Sequence, residues 1–175
     1  MKKNSVTRHY SHHLSYPIRY IPNSLTKRDK KKQLQMLAKS KILYKKHEYY
    51  TREKLSSYKN KSSKHIIKAR KLYKVDKIIP SKELSVKTGC SIKALNQIVK
   101  KGEGAYYSSG SRPNQSPQSW GYARLASSIT GGKASRIDYK IIENGCNHKK
   151  HAFILAIKAG RPPRTRRFEV HTRRF

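Results

Sequence analysis

Charge imbalance constrains this chain more than any other feature. Its 175 residues hold 42 Lys and Arg against 9 Asp and Glu, a net charge of +33 with His neutral. A compact state with about one uncompensated cation per five residues repels itself unless an anion neutralises it. Leu, Ile, Val and Phe together number 34, just under a fifth of the chain, which places the composition at the edge of the disordered class. The expectation is one small core with tails. The expected partner is an anion: nucleic acid, an acidic protein surface or an anionic membrane surface.

The same count excludes functions. Nine carboxylates give a paired-carboxylate hydrolase or a two-metal nuclease little to work with. The longest clean apolar run, Ala152 to Ile157, is far too short to span a membrane. The basic start MKKNSVTRHYSHH is followed by no apolar stretch, so no signal-peptide pattern is present. Cys90 and Cys146 make no disulfide framework, and a reducing compartment is the simpler expectation.

The charge divides the chain. Residues 1–24 carry +4, 25–79 carry +15, 80–159 carry +9 and 160–175 carry +5. The four segments read as an extended N-terminal arm, a Lys-rich helical region, a compact core and an Arg-rich C-terminal arm. Within them, Thr26 and Asp29 resemble a capping box opening a helix from about Lys27 to Lys46. Its candidate buried residues are Leu34, Leu37, Ile42 and Tyr44. Ser62 or Ser63 caps a second basic helix through Lys74 that buries Ile66, Ala69 and Tyr73. Pro80 and Ser81 open a short helix ended by Gly89. Ser91 caps another, Ile92 to Lys101, ended by Gly102. Residues 103–121 are Gly-, Ser- and Pro-rich and read as a long loop or linker. Tyr122 to Ile129 reads as helix, Arg136 to Ile142 as strand or helix, and His148 to Ala159 as a last helix. The expected class is mainly α: a small loop-rich helical domain with a helix-turn-helix-like pair and basic arms.

That pair is the sharpest local pattern. Ser85 lies four residues before Gly89, where a small side chain lets two helices approach and a glycine supplies a turn at positive φ. Leu84, Leu95 and Ile98 would pin the helices together. Lys93, Asn96, Gln97 and Lys100 would then face outward as possible DNA-reading residues, since Asn and Gln suit adenine and Lys a guanine edge. Two ordinary core helices sharing a Gly turn give the same pattern.

The C-terminal arm carries Arg161, Arg164, Arg166, Arg167, Arg173 and Arg174. Arg offers a planar fork that suits phosphate or carboxylate, so this arm reads as a docking segment for a polyanion or acidic partner. Lys30, Lys31 and Lys32 on the first helix are further candidates for that contact. Tyr106, Tyr107, Arg112, Trp120, Tyr122 and Arg124 interleave aromatics with bases, which suits base stacking. A chain short of Leu and Ile nevertheless needs its aromatics for burial, and that reading is preferred.

No enzyme pattern survives inspection. Cys146, His148 and His151, with Cys90 as a fourth, fit no zinc spacing. Thr130-Gly131-Gly132-Lys133-Ala134 resembles the end of a phosphate loop, but Ser127 stands where the first Gly belongs and Ala134 where a Ser or Thr would hold magnesium. Gly102 and Gly104 lack the third Gly of a dinucleotide fingerprint, and no Ser, His and Asp are ordered into a triad. No catalytic residue, metal or cofactor is expected.

Several pieces carry a wider resemblance. They are Tyr20-Ile21-Pro22-Asn23-Ser24-Leu25-Thr26-Lys27, Pro80-Ser81-Lys82-Glu83-Leu84 running into Thr88-Gly89-Cys90-Ser91, and Gly104-Ala105-Tyr106-Tyr107-Ser108-Ser109-Gly110-Ser111-Arg112-Pro113-Asn114-Gln115. Ser119-Trp120-Gly121-Tyr122-Ala123-Arg124-Leu125-Ala126-Ser127 and Thr130-Gly131-Gly132-Lys133-Ala134 complete them. Together they resemble a basic domain family of unassigned function met in nucleocytoplasmic large DNA viruses and some large phages. That family brings no catalytic residue. What the resemblance implies is a setting: the virion, with host cytoplasm or nucleus during assembly. The leading expectation is a non-enzymatic basic virion structural protein, a minor capsid or internal capsid-associated component that binds capsid proteins through its arms and cements the particle. The alternative is a DNA-binding protein, either a helix-turn-helix reader or a nonspecific genome compactor.

Overall fold

A computed structural model of the chain describes residues 16–160. Residues 1–15 and the Arg-rich segment 161–175 lie outside the described residues. The described residues form eight helices and no strand, so the domain is mainly α. No helix among them is long and apolar enough to cross a membrane.

Helix α1 spans Lys27–Lys45. The Thr26 hydroxyl caps it by accepting from the Asp29 N–H at 3.2 Å, which satisfies one of the exposed first-turn donors. Its buried face differs from the apolar stripe read off the sequence. Leu37 is buried, but Leu34 and Ile42 are exposed and Tyr44 is half-buried. Inward-facing positions are Asp29, Gln33, Met36, Leu37 and Ser40. Three of these five are polar because the surface they meet is polar backbone. Gln33 donates to the Tyr20 carbonyl at 3.1 Å and Ser40 to the Tyr107 carbonyl at 3.0 Å. Asp29 accepts from the amide and hydroxyl of Ser57.

Helix α2, Lys64–Tyr73, buries Ala69 and Tyr73 and ends on Lys74 at φ 52°. Helix α3, Lys82–Thr88, and helix α4, Ile92–Ser108, are capped by the hydroxyls of Ser81 and Ser91. Gly89 joins them at φ 75°, a backbone state that favours glycine. Ser85 donates to the Cys90 carbonyl across this turn. Leu84, Leu95 and Ile98 are fully buried beneath it.

Helix α4 does not stop at Gly102. It continues for six more residues, because Gly102 is a crossing point and not a terminator. A Cβ there would lie 2.6 Å from the Gly121 Cα, and one on Gly121 would lie 2.9 Å from the Val99 carbonyl oxygen. The two glycines let α4 pass backbone to backbone against helix α5, Pro117–Ile129. The stretch 103–121 is thus helical at both ends, with the irregular part confined to residues 109–116. Ser116 and Ser119 cap α5 reciprocally, with Pro117 in its first turn.

Helices α6, Lys133–Ile137, and α7, Tyr139–Gly145, replace the strand-or-helix segment, and α8, His151–Ala159, closes the domain. The main core joins Ala69, Tyr73, Val75 and Ile78 to side chains of α3, α4, α5, α7 and α8. A smaller cluster holds Leu25, Met36 and Leu55. Residues 16–24 fold onto this body through a short 3-10 turn at Ile18–Tyr20. Tyr20 is buried there, edge-on to Trp120 at 5.9 Å.

Cys90 and Cys146 are joined in a disulfide, contrary to the expectation of two reduced thiols. Sequence spacing could not show this, because the pairing depends on a tertiary backbone bridge. Ser91 N–H donates to the Gly145 carbonyl at 2.8 Å and Asn147 N–H to the Gly89 carbonyl at 2.7 Å. The bond ties the α3–α4 turn to the α7–α8 junction, 56 residues away.

Arg52 fixes the irregular segment between α1 and α2. Its guanidinium is buried and lies 3.7 Å from the Tyr106 ring centroid. It donates to the Tyr106 carbonyl and to the hydroxyls of Ser40 and Ser111. Its backbone N–H donates to the Tyr106 hydroxyl at 3.0 Å. Asn114 locks the next residues, accepting from Leu55 N–H and donating to the carbonyls of Leu55 and Tyr58. Within SSGSRPNQ, then, Ser111 and Asn114 serve as fasteners.

Two outcomes follow from these ties. Closing a loop of this length contributes about 4 kcal/mol in the chain-entropy account, so a reductant should lower Tm by on the order of 10 °C. A Cys90→Ala/Cys146→Ala double variant should melt at the reduced value and ignore the reductant in a calorimetric scan. Arg52→Met should cost about 3 kcal/mol in urea denaturation, because it strands buried acceptors. Arg52→Lys should rescue little, since an ammonium cannot span the same partners.

Candidate polyanion interface

The periodicity of α4 sets its two faces. Leu95, Ile98, Val99, Gly102 and Tyr106 point into the core. Lys93, Asn96, Gln97 and Lys100 are all exposed on the other side. Gln97 and Lys100 line an open groove of about 740 Å³ together with Lys101, Gly104, Ala105, Ser108, Tyr44 and Ile141. Helix α4 forms one wall, α1 contributes Tyr44 and α7 contributes Ile141. Lys93 and Asn96 lie one turn nearer the start of α4 and do not line it. Lys31 and Lys32 are exposed and Lys30 half-buried on α1. Lys32 pairs with Glu53 at 2.7 Å. Arg161, Arg164, Arg166, Arg167, Arg173 and Arg174 lie outside the described residues.

Tyr44 is held by other rings. It lies parallel to Tyr107 with centroids 6.5 Å apart, and edge-on to Tyr49 at 6.2 Å. Tyr49 is largely exposed. Of the aromatics with a competing stacking role, Tyr106 is fully buried and Trp120 packs on Tyr20.

Lys101 is anchored from below. Its ammonium lies 2.8 Å from Asp138 Oδ1 and donates to the Ile137 carbonyl at 3.4 Å. Asp138 is fully buried between α6 and α7 and also accepts from Arg124 Nε and Nη2 at 2.9 and 2.8 Å, and from Ser128 at 2.7 Å. Two cations meet one carboxylate, so the cluster stays net positive at the groove. Burial raises the Asp138 pKa, but the hydrogen bonds from Arg124, Lys101 and Ser128 outweigh it and hold the carboxyl below its ordinary value.

Other sequence features have structural work. Gly131 takes φ +68° beside the Leu155 backbone, and Gly132 packs so closely on Ser127 that a Cβ would lie 2.4 Å from its hydroxyl. The Thr130–Lys133 turn is therefore a packing junction. Cys146 is in the disulfide and has no thiolate to offer a metal. His148 meets the Glu143 carbonyl through Nε2 and stacks on Phe153. Among the described residues no group of three metal-ligating side chains forms.

Sequence reading missed Tyr44, Lys101, Gly104 and Asp138 as parts of one site. Gly102 carries the local signature of a helix end, and this hides the placement of Gly104 on the face that holds Gln97 and Lys100. Glycines two apart within an otherwise helical stretch were the available signal.

The Asp138 cluster predicts an acid-side weakness. A carboxyl held low stabilises the fold above its ordinary value of 3.8, and that contribution fades as pH falls through the lower folded value. Asp138→Asn should cost about 3 kcal/mol near neutral pH, by leaving Arg124 facing an uncharged amide. The deficit should shrink at acid pH, once the pH has fallen through the lowered folded value and the native carboxyl also becomes neutral. Denaturant titrations at both pH values check this, and a deficit that stays constant with pH would refute it.

No curated protein and no solved structure matches the chain. A family model matches residues 17–144, a stretch that takes in the Arg52 and Asn114 fasteners, the α4–α5 crossing and the Asp138 cluster: the chain belongs to DUF5824, a family of unknown function.

Proposed function

We propose that this chain is a non-enzymatic basic structural protein of a virion, a minor capsid or internal capsid-associated component that holds acidic surfaces together. The observation that carries the reading is where the carboxylates go. Asp138 is buried against Arg124 and Lys101, Asp29 accepts from Ser57, and Glu53 pairs with Lys32. These ties engage three of the chain's nine carboxylates, while Lys and Arg number 42, so the exposed lysines of α1, α2 and α4 remain in excess to attract an external anion. The six C-terminal arginines add a second, fork-shaped set of contacts. The virion setting is supported by the resemblance to proteins of large DNA viruses.

DNA binding is the second reading. It is favoured by the exposure of Lys93, Asn96, Gln97 and Lys100 along one helix, two of them beside the groove. Fractionating disrupted particles separates the two. A cementing protein stays with the shell at fixed ratio after the genome is released. A protein that leaves with the genome, and whose duplex affinity falls log-linearly with salt, overturns the first reading in favour of the second.

A further inference from the structure

We propose that the groove between Tyr44, α4 and Ile141 is a nucleotide-binding site for a single-stranded nucleic acid, with a base stacked on Tyr44 and the phosphate held by Lys100 and Lys101. This inference rests on the nucleic-acid reading and does not need the virion setting.

Gly104 is the first observation. It lies inside α4, where glycine costs about 0.5–1 kcal/mol relative to alanine. Packing accounts for Gly102, whose Cβ would lie 2.6 Å from Gly121. Packing does not account for Gly104, because a Cβ there would meet only the Tyr44 hydroxyl, at an ordinary 3.6 Å. What the missing side chain does is keep the groove floor open between α4 and Tyr44.

The second observation is the distribution of chemistry around that floor. Gly104, Ala105, Ile141 and the Tyr44 ring make an apolar bed, and Gln97, Lys100, Lys101 and Ser108 supply polar groups. About 740 Å³ is ample for a nucleoside unit. An aromatic ring beside ammonium groups is the arrangement that holds single strands, since every base has a face to stack and every linkage a phosphate to neutralise. The Tyr44 ring is braced by Tyr107 and Tyr49, so stacking does not have to order it first. Lys101 is preset in the same way. Of its three N–H donors, Asp138 and the Ile137 carbonyl take two, and the third is available to a phosphate oxygen. Charge complementarity selects this occupant over an apolar helix or peptide, which would offer no counter-charge to Lys100 and no acceptor to the remaining N–H of Lys101.

The test uses the full-length chain, a fluorescein-labelled deoxythymidine oligonucleotide and inorganic polyphosphate of matched charge. Tyr44→Ala and Gly104→Leu should each weaken oligonucleotide binding roughly tenfold by anisotropy, while Tyr44→Phe binds like the parent chain. Polyphosphate, which has no base, should bind all of them within about twofold. Thermal melts followed by circular dichroism confirm that each variant is folded. Should Gly104→Leu fail to fold, the contrast between Tyr44→Ala and Tyr44→Phe decides alone. Oligonucleotide affinity unchanged in Tyr44→Ala, or lost in step with polyphosphate affinity, overturns the site and leaves general DNA binding intact. A parent chain that binds polyphosphate but no oligonucleotide at low salt overturns the nucleic-acid reading and the groove together.

Discussion

The backbone contact between Gly102 and Gly121 is the constraint on which this domain is organised. A chain with few large aliphatic residues cannot build a thick layer of side chains between its helices. It brings two helices together instead, without side chains at the crossing. Dispersion between closely packed backbones then supplies part of what a Leu-rich core would otherwise supply. With the crossing fixed, α4 extends to Ser108. That extension carries Tyr106 under Arg52 and places Gly104 opposite Tyr44. The same crossing directs Arg124 of α5 and Lys101 of α4 onto Asp138.

Two buried charge sites follow opposite designs. Asp138 is the minority charge in this chain and receives two cations and a hydroxyl. Arg52 belongs to the majority and is given no carboxylate among the described residues. Its charge is met by a carbonyl, two hydroxyls and a tyrosine ring. With nine acids in the whole sequence, neutral dipoles and π-faces are the economical way to bury a cation. A guanidinium can use them because its donors are spread over a plane, whereas an ammonium concentrates them at a point. This explains why an Arg stands at position 52 in a region otherwise dominated by Lys.

Local signals in the sequence placed most of the helices. Thr26, Ser81 and Ser91 each cap the helix that their position announces, and Gly89 ends α3 as a positive-φ turn. Leu84, Leu95 and Ile98 are buried as their spacing requires. Failures occurred where a residue's purpose is tertiary. Gly102 has the local signature of a stop, and only the approach of Gly121 converts it into a crossing. The inward face of α1 could not be read as a stripe, because Gln33 and Ser40 are inside to serve carbonyls of distant segments. The disulfide was illegible for the same reason, since two cysteines 56 residues apart are neighbours only once α7 has packed on α4. Gln97 and Lys100 are the part of the groove that local pattern reveals, since the rest of its α4 wall lies at or beyond the apparent stop at Gly102. Tyr44 and Ile141 come from α1 and α7, and nothing local links them to that helix.

The placement of the disulfide bears on how the basic surface is held. It lies at the start of α4, beside the turn from α3, and Gly89 packs there against Lys150 and Asn147. The polar, Lys-bearing junction from Asn147 to Lys150 is thereby kept next to the first turn of α4, from which Lys93 projects. A cluster of like charges pushes apart, and exposed lysines on a short connection would otherwise move away from one another. The covalent tie opposes that repulsion without requiring a carboxylate, the residue this chain has least of. The two glycines, the neutral cradle around Arg52 and the disulfide are thus three answers to one problem: holding a body together when most of its charges carry the same sign.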